Sequence, residues 1–231
     1  MGEIDLSIDG ETATIRLRAP ERRNAFTTAM MGDLAAAIGD ADRSGVALIV
    51  LEGEGSDFSA GRVQGEQGVS LRDSLGQALE ANRAWREAGA VTLSVVHGAA
   101  LGFAFGLVIQ SDLALAADDA WFAFDEMAHG FVPKIVLSYL PERQPRSLAL
   151  DLVLTARRVP SPEALALGLI ARVASAAELR AAADDYKRSL VGDGRAALLR
   201  DAKAYARRAM TVPQEARAEF ALEESVRSTK S

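Results

Sequence analysis

The sequence predicts a mixed α/β domain that ends in an all-helical part, and three observations predict it. Apolar residues alternate with polar ones at Ile4, Leu6 and Ile8 and again at Ala13, Ile15 and Leu17, with Asp9-Gly10 between them, the pattern of a β-hairpin. Strand-like and helix-like stretches then alternate without a sequence repeat, as expected where helices cover a sheet. Beyond about Val173 no strand pattern interrupts the helical ones.

In chain order, Pro20 closes the second strand of the hairpin. Thr27 or Thr28 caps a helix that runs to about Asp42 and places Met30, Met31, Leu34 and Ile38 on one face. Residues 46–51 read as a buried strand, followed by a loop from Gly53 to Asp57. Residues 69–87 are helical and 91–97 form another short apolar strand. From Gly98 the chain is glycine-spaced and then helical, and strand-like stretches return at 113–116 and 121–124. Residues 176–190, 194–210 and 213–226 read as three helices. The chain therefore divides into a core of residues 1–190 and a helical part of residues 191–231, joined near Gly192-Asp193-Gly194.

Composition narrows the function classes. The 231 residues are 49% hydrophobic and 25% charged, a globular balance. The most apolar stretch, 91–108, is interrupted by His97 and by glycines, which fits buried core better than a bilayer span. No basic and then apolar leader opens the chain, so a cytoplasmic location is expected. The absence of cysteine excludes disulfides, thiolate metal sites and a cysteine nucleophile. The two histidines, His97 and His129, give no metal-ligand spacing. A net charge of −6 argues against nucleic acid or an anionic membrane as partner.

Two segments carry the chemistry. Asp57-Phe58-Ser59-Ala60-Gly61-Arg62 follows the strand ending at Leu51, and His97-Gly98-Ala99-Ala100-Leu101-Gly102-Phe103-Ala104-Phe105-Gly106 follows the strand ending at Val96. Each sets small residues where a strand gives way to a loop or helix, so that free backbone N–H groups face outward. Two such groups aimed at one oxygen make an oxyanion hole. Ser59 lacks the flanking glycines of a nucleophile elbow.

These segments, with Arg23-Asn24-Ala25-Phe26 before them and Ser111-Asp112-Leu113-Ala114-Leu115-Ala116, Phe122-Ala123-Phe124-Asp125-Glu126-Met127, His129-Gly130-Phe131-Val132-Pro133 and Pro162-Glu163-Ala164-Leu165-Ala166-Leu167-Gly168 after them, occur in the order found in the crotonase (enoyl-CoA hydratase/isomerase) superfamily, and over residues 4 to 173 the chain resembles it. The resemblance implies a crotonase-like spiral of ββα units with a helical C-terminal appendage that serves oligomerisation or acts as a lid. It implies an acyl-CoA thioester as substrate, no cofactor beyond that coenzyme A, and a homotrimer or a hexamer of paired trimers. The oxyanion-hole donors map onto the backbone N–H groups of Arg62 and Phe103, where a glycine is more usual at the second position. Arg22, Arg23 and Ala60 fall at coenzyme-binding positions, the arginines as partners for phosphate.

Glu126 is the acid–base candidate, since apolar neighbours raise a carboxyl pKa toward neutrality. Gly106 stands where hydratases of the family carry a second glutamate. One carboxylate suffices to take a proton from C2 of a 3-enoyl thioester and return it to C4, so double-bond isomerisation is expected ahead of hydration, dehydration or a related lyase reaction. A CoA-ester-binding protein without catalysis is the reading from another class, supported by Gly106 and the bulky Phe103 and Phe105. His129 and Gly106 are accessory positions. Asp125 is expected to point away from Glu126, His97 to sit in the core and Glu66 to face solvent. Phe103, Phe105, Trp121, Phe124 and Phe131 suggest an aromatic acyl pocket.

Overall fold

A computed structural model describes residues 2–228 of the chain. Strands β1 (Ile4–Asp9) and β2 (Thr12–Leu17) form the predicted hairpin, in register from Ile4 opposite Leu17 to Asp9 opposite Thr12. Helix α1 (Thr28–Arg43) returns the chain to β3 (Leu48–Gly53), parallel to β2, and α2 (Leu71–Glu87) returns it to β4 (Val91–Val96), parallel to β3. Strand β5 (Ala99–Leu101), helix α3 (Phe103–Gln110) and β6 (Leu113–Ala117) follow, with β6 beside β4. Strand β7 (Trp121–Ala123) pairs with β5. Three helices come next, α4 (Lys134–Arg143), α5 (Arg146–Thr155) and α6 (Ser161–Ala166), the short β8 (Val159–Pro160) lying between the last two. Strand β9 (Arg172–Ala174) closes the edge next to β6, ahead of α7 (Leu179–Val191), α8 (Ala196–Thr211) and α9 (Arg217–Ser228).

Two sheets result, one of six strands in the order β1-β2-β3-β4-β6-β9 and one of three in the order β5-β7-β8. All of β4 is buried, as a parallel strand covered on both faces must be. Thr27 is the residue that caps α1, its Oγ1 accepting from the Met30 N–H at 3.1 Å, and Ser70 caps α2 in the same way. Met30, Met31, Leu34 and Ile38 are buried on the face of α1 that the spacing predicted.

The sequence pattern left α4 and α5 unmarked. Val136, Tyr139 and Leu140 do recur at helical spacing on α4, but Pro141 lies inside the helix and hides the signal. The C-terminal part is helical as expected, and α8 docks through polar contacts. Lys203 Nζ reaches the Ala90 carbonyl and the Asp112 carboxylate, each at 2.6 Å, and Arg200 reaches the Val46 carbonyl. These carbonyls lie just ahead of β3 and β4, so α8 crosses the entry end of the central strands. Tyr205 of α8 stacks on Phe220 of α9 with ring centroids 5.7 Å apart. Among the described residues no helix is long and apolar enough to cross a membrane.

Candidate active site

The two glycine-bearing segments lie side by side at the exit end of the central strands. Ser59 N–H donates to the Ala99 carbonyl at 3.0 Å, and Leu101 N–H donates back to the Ser59 carbonyl at 3.0 Å. The approach is close enough that a Cβ on Gly61 would meet the Leu101 carbonyl oxygen at 2.9 Å. Both segments then turn at a glycine of positive φ, Gly61 at 87° and Gly102 at 48°, a region that side-chain-bearing residues avoid. The next N–H groups, of Arg62 and Phe103, are turned away from the ladders. Phe26 uses the Gly61 carbonyl and the Val63 N–H on either side of Arg62, and Phe103 opens α3, where the first N–H groups have no partner within the helix. Neither N–H has an acceptor among the described residues.

Asn24 braces this arrangement from behind. It is fully buried, accepts from the Ala19 N–H at 2.9 Å and donates to the carbonyls of Glu54 and Asp57 at 2.7 and 2.9 Å. Three bonds from one side chain hold the loop after β2 against the loop after β3.

A cavity of about 730 Å³ opens over the two N–H groups. Arg23, Ala60, Arg62, Phe103, Glu126 and His129 all line it, so the fold gathers most of the candidates named from sequence. The rest of the wall is largely apolar, from α2 (Leu71, Leu75, Ala78) and from Phe131 to Val136. Arg22 is the exception among the coenzyme candidates. It does not line the cavity, and its guanidinium is held 2.6 Å from Glu3 and 2.9 Å from the Ala25 carbonyl. Arg23 does line it and is paired with Asp57 at 2.8 Å; that hydrogen bond is the main reason the Asp57 carboxyl falls to about 2.

Glu126 sits over the start of α3. A Cβ on Gly102 would lie 3.0 Å from its Oε1, and its Oε2 is buried without a hydrogen-bond partner. Burial pushes its carboxyl above the ordinary range; Asp125 adds to that, while its own backbone N–H, Arg62 and His129 oppose it. Asp125 does not point away. It lines the same cavity because β7 ends at Ala123 and residues Asp125–His129 form a 3₁₀ turn, which cancels strand alternation. His129 is exposed at the mouth, its Nδ1 2.9 Å from the Asp125 carbonyl.

Gly106 does not line the cavity, and its lack of a side chain has a local consequence: a Cβ there would clash with the Tyr139 hydroxyl. The phenol of α4 therefore fills the room that a side chain at 106 would need. Burial, with Glu126 nearby, pushes that phenol above its ordinary value, so it stays neutral. Sequence reading missed Tyr139, although Gly106 was the signal that something else fills the space.

Other expectations are corrected by packing. Glu66 binds the first residue of α1, accepting from the Thr28 N–H and hydroxyl at 2.8 and 2.7 Å. His97 is only partly buried at the end of β4, with Nε2 3.0 Å from the Gly55 carbonyl. Of the five aromatics proposed for the pocket, Phe103 and Phe131 line it. Phe105 and Phe124 stack behind it with centroids 4.5 Å apart, and Trp121 lies under the Arg158 guanidinium.

The sequence profile of the enoyl-CoA hydratase/isomerase family matches residues 7–231. The chain belongs to that family, within the crotonase superfamily. A Thermus thermophilus relative, provisionally named an enoyl-CoA hydratase, is 31% identical over 173 residues, covering 71% of this chain and 68% of its own. An enoyl-CoA hydratase structure from Geobacillus kaustophilus matches all of this chain and 91% of that one at 26% identity, with a TM-score of 0.88. A Thermobifida fusca protein of the same provisional name, solved in complex with CoA, covers 99% of this chain and 95% of its own at 31% identity and a TM-score of 0.86. The family assignment fits a site that offers two unused N–H donors and one carboxyl of raised pKa.

Proposed function

We propose that this family member binds an acyl-CoA thioester and isomerises its double bond, with Glu126 as the single proton carrier. The observation that carries the proposal is the Glu126 carboxyl, with one oxygen buried and unpartnered beside Gly102, next to two backbone N–H groups without acceptors. The ionised carboxylate takes a proton from C2 of a 3-enoyl thioester. The released electron pair forms the C1–C2 double bond of an enolate, whose oxygen accepts hydrogen bonds from the Arg62 and Phe103 N–H groups. The enolate then collapses to a C2–C3 double bond as Glu126 returns the proton to C4. One donor of this kind is worth about 3–4 kcal/mol in other enzymes.

Isomerisation is preferred to hydration because water addition calls for a second base to activate the water. The neutral hydroxyl of Tyr139 fills the place at Gly106 where such a base would stand. Hydration is the second reading, favoured by the names of the relatives and by Asp125, a second carboxylate in the cavity wall. The coenzyme would lie at the mouth near Arg23 and Ala60. Residues 191–231 would form a region that joins copies into trimers, supported by the exposed Leu198, Met210 and Leu222 on its helices. Sedimentation at several concentrations tests that assembly.

The catalytic reading is tested by giving the protein matched 3-enoyl- and 2-enoyl-CoA substrates. Rising absorbance of the conjugated thioester from the 3-enoyl substrate, with no change of mass, is the expected result. A gain of one water on the 2-enoyl substrate, without isomerisation, would replace it with the hydratase reading.

A further inference from the structure

The deep end of the acyl cavity is polar, which an unsubstituted hydrocarbon chain does not require. Asn82 on α2, Gln110 at the end of α3 and Tyr139 on α4 are 5%, 2% and 7% exposed. Asn82 and Tyr139 line the cavity, and Gln110 lies behind them, beside the Tyr139 hydroxyl. Their orientations are fixed in sequence. Gln110 Nε2 faces the Gly106 carbonyl at 3.2 Å, so it is the nitrogen, and it donates to Asn82 Oδ1 at 2.8 Å. That bond turns Asn82 Nδ2 out as a donor. Gln110 Oε1 is left buried without a donor, an unfavourable state unless something supplies one. Asn82 Nδ2 has no acceptor among the described residues, and the Tyr139 hydroxyl has only the Gln110 side chain beside it.

Resting on the acyl-CoA reading, we propose that these three side chains form a subsite for a hydroxyl group carried by the acyl chain. A hydroxyl closes a ring of four hydrogen bonds. It accepts from Asn82 Nδ2 and donates to the Tyr139 oxygen; Tyr139 donates to Gln110 Oε1; and Gln110 Nε2 donates to Asn82 Oδ1. A ketone cannot close it, because it would accept from both Asn82 and Tyr139 and leave Gln110 Oε1 unmet. A bare methylene would leave Asn82 Nδ2 without an acceptor and the Tyr139 oxygen without a donor. Gly102 and Gly106 are four residues apart, about 6 Å along a helix axis, with Glu126 over the first and Tyr139 over the second. The hydroxyl therefore lies farther along the acyl chain than the carbons that exchange protons at Glu126.

Calorimetric titration with saturated acyl-CoA thioesters tests this, because they cannot react. One chain length is used in three forms: unsubstituted, hydroxylated at successive carbons beyond C3, and with the matching ketones. One hydroxyl isomer should bind roughly tenfold more tightly than the unsubstituted thioester and more tightly than its ketone. Tyr139→Phe should abolish that preference while still binding the unsubstituted thioester. Asn82→Ser serves the same purpose if Tyr139→Phe does not fold. Equal affinity for every form, meaning that the cluster holds only water, would overturn the proposal. So would a ketone as tight as the hydroxyl, or a preference that survives the variants. Failure of the isomerase reading shows elsewhere, as absence of turnover with a 3-enoyl substrate. Failure to bind any thioester would overturn both.

Discussion

On the proposed mechanism, Glu126 combines a catalytic demand with a stability cost. Because burial raises its pKa in the folded chain, the native state holds this proton to higher pH than the unfolded chain does. Stability therefore falls as pH rises from the ordinary carboxyl value to the raised one, and above it the full cost of an ionised, partly desolvated carboxylate remains. Turnover has the opposite sign, since the base must be ionised, and should rise with pH through the raised value. Glu126→Gln removes both effects. Its melting temperature at pH 8 should exceed that of the parent, its thioester binding should persist, and its turnover should fall by about 10²–10⁴. Turnover that stays unchanged would remove Glu126 from the proton path.

At the scale of elements, the site is built by three loops at the exit end of the parallel strands, held together by buried polar bonds. Asn24 is central, with three backbone partners and a φ of 53° that asparagine tolerates better than most residues. Asn24→Ala strands one buried N–H and leaves two carbonyls short of a donor, at a cost of about 2–4 kcal/mol. In a chain of this size that lowers the melting temperature by roughly 5–15 °C. The loop carrying Arg62 should also lose its register with Gly102, so turnover should fall even at temperatures where the variant is folded. A stable variant with full turnover would show that the ladder between Ser59 and Leu101 suffices alone.

Across the whole molecule, α8 joins the C-terminal helices to the core through Lys203, Arg200 and Arg207, together with the apolar contact of Leu199. Lys203 is buried, and burial lowers its pKa although Asp112 supports its charge. Asp112 is partly wet and also accepts from the Thr92 N–H and hydroxyl, which keeps the cost of losing the pair below that of a fully buried one. Lys203→Ala should cost about 1–3 kcal/mol, concentrated in the docking of α8 and α9. Hydrogen exchange should accelerate across residues 196–228 while β4 stays protected. Equal acceleration in both would mean that core and appendage open as one unit.

The fold class, the hairpin, the major strands and the cap of α1 were legible in the sequence, because alternation, helical spacing and cap residues are local properties of the chain. Glu126, Arg62 and Phe103 were candidates through the resemblance to the crotonase superfamily, and the structure sets all three around one cavity. Helix α4 was not legible, because Pro141 obscured its pattern, and its Tyr139 went unseen with it. The orientation of Asp125 and the withdrawal of Arg22 to Glu3 were equally hidden. What tertiary structure alone decided is which side chains from distant segments share a volume. Tyr139 fills the space over Gly106 from 33 residues away, and Gln110 lacks a donor because of how three separate helices meet. Contacts of that kind depend on packing between elements, and no spacing along one segment encodes them.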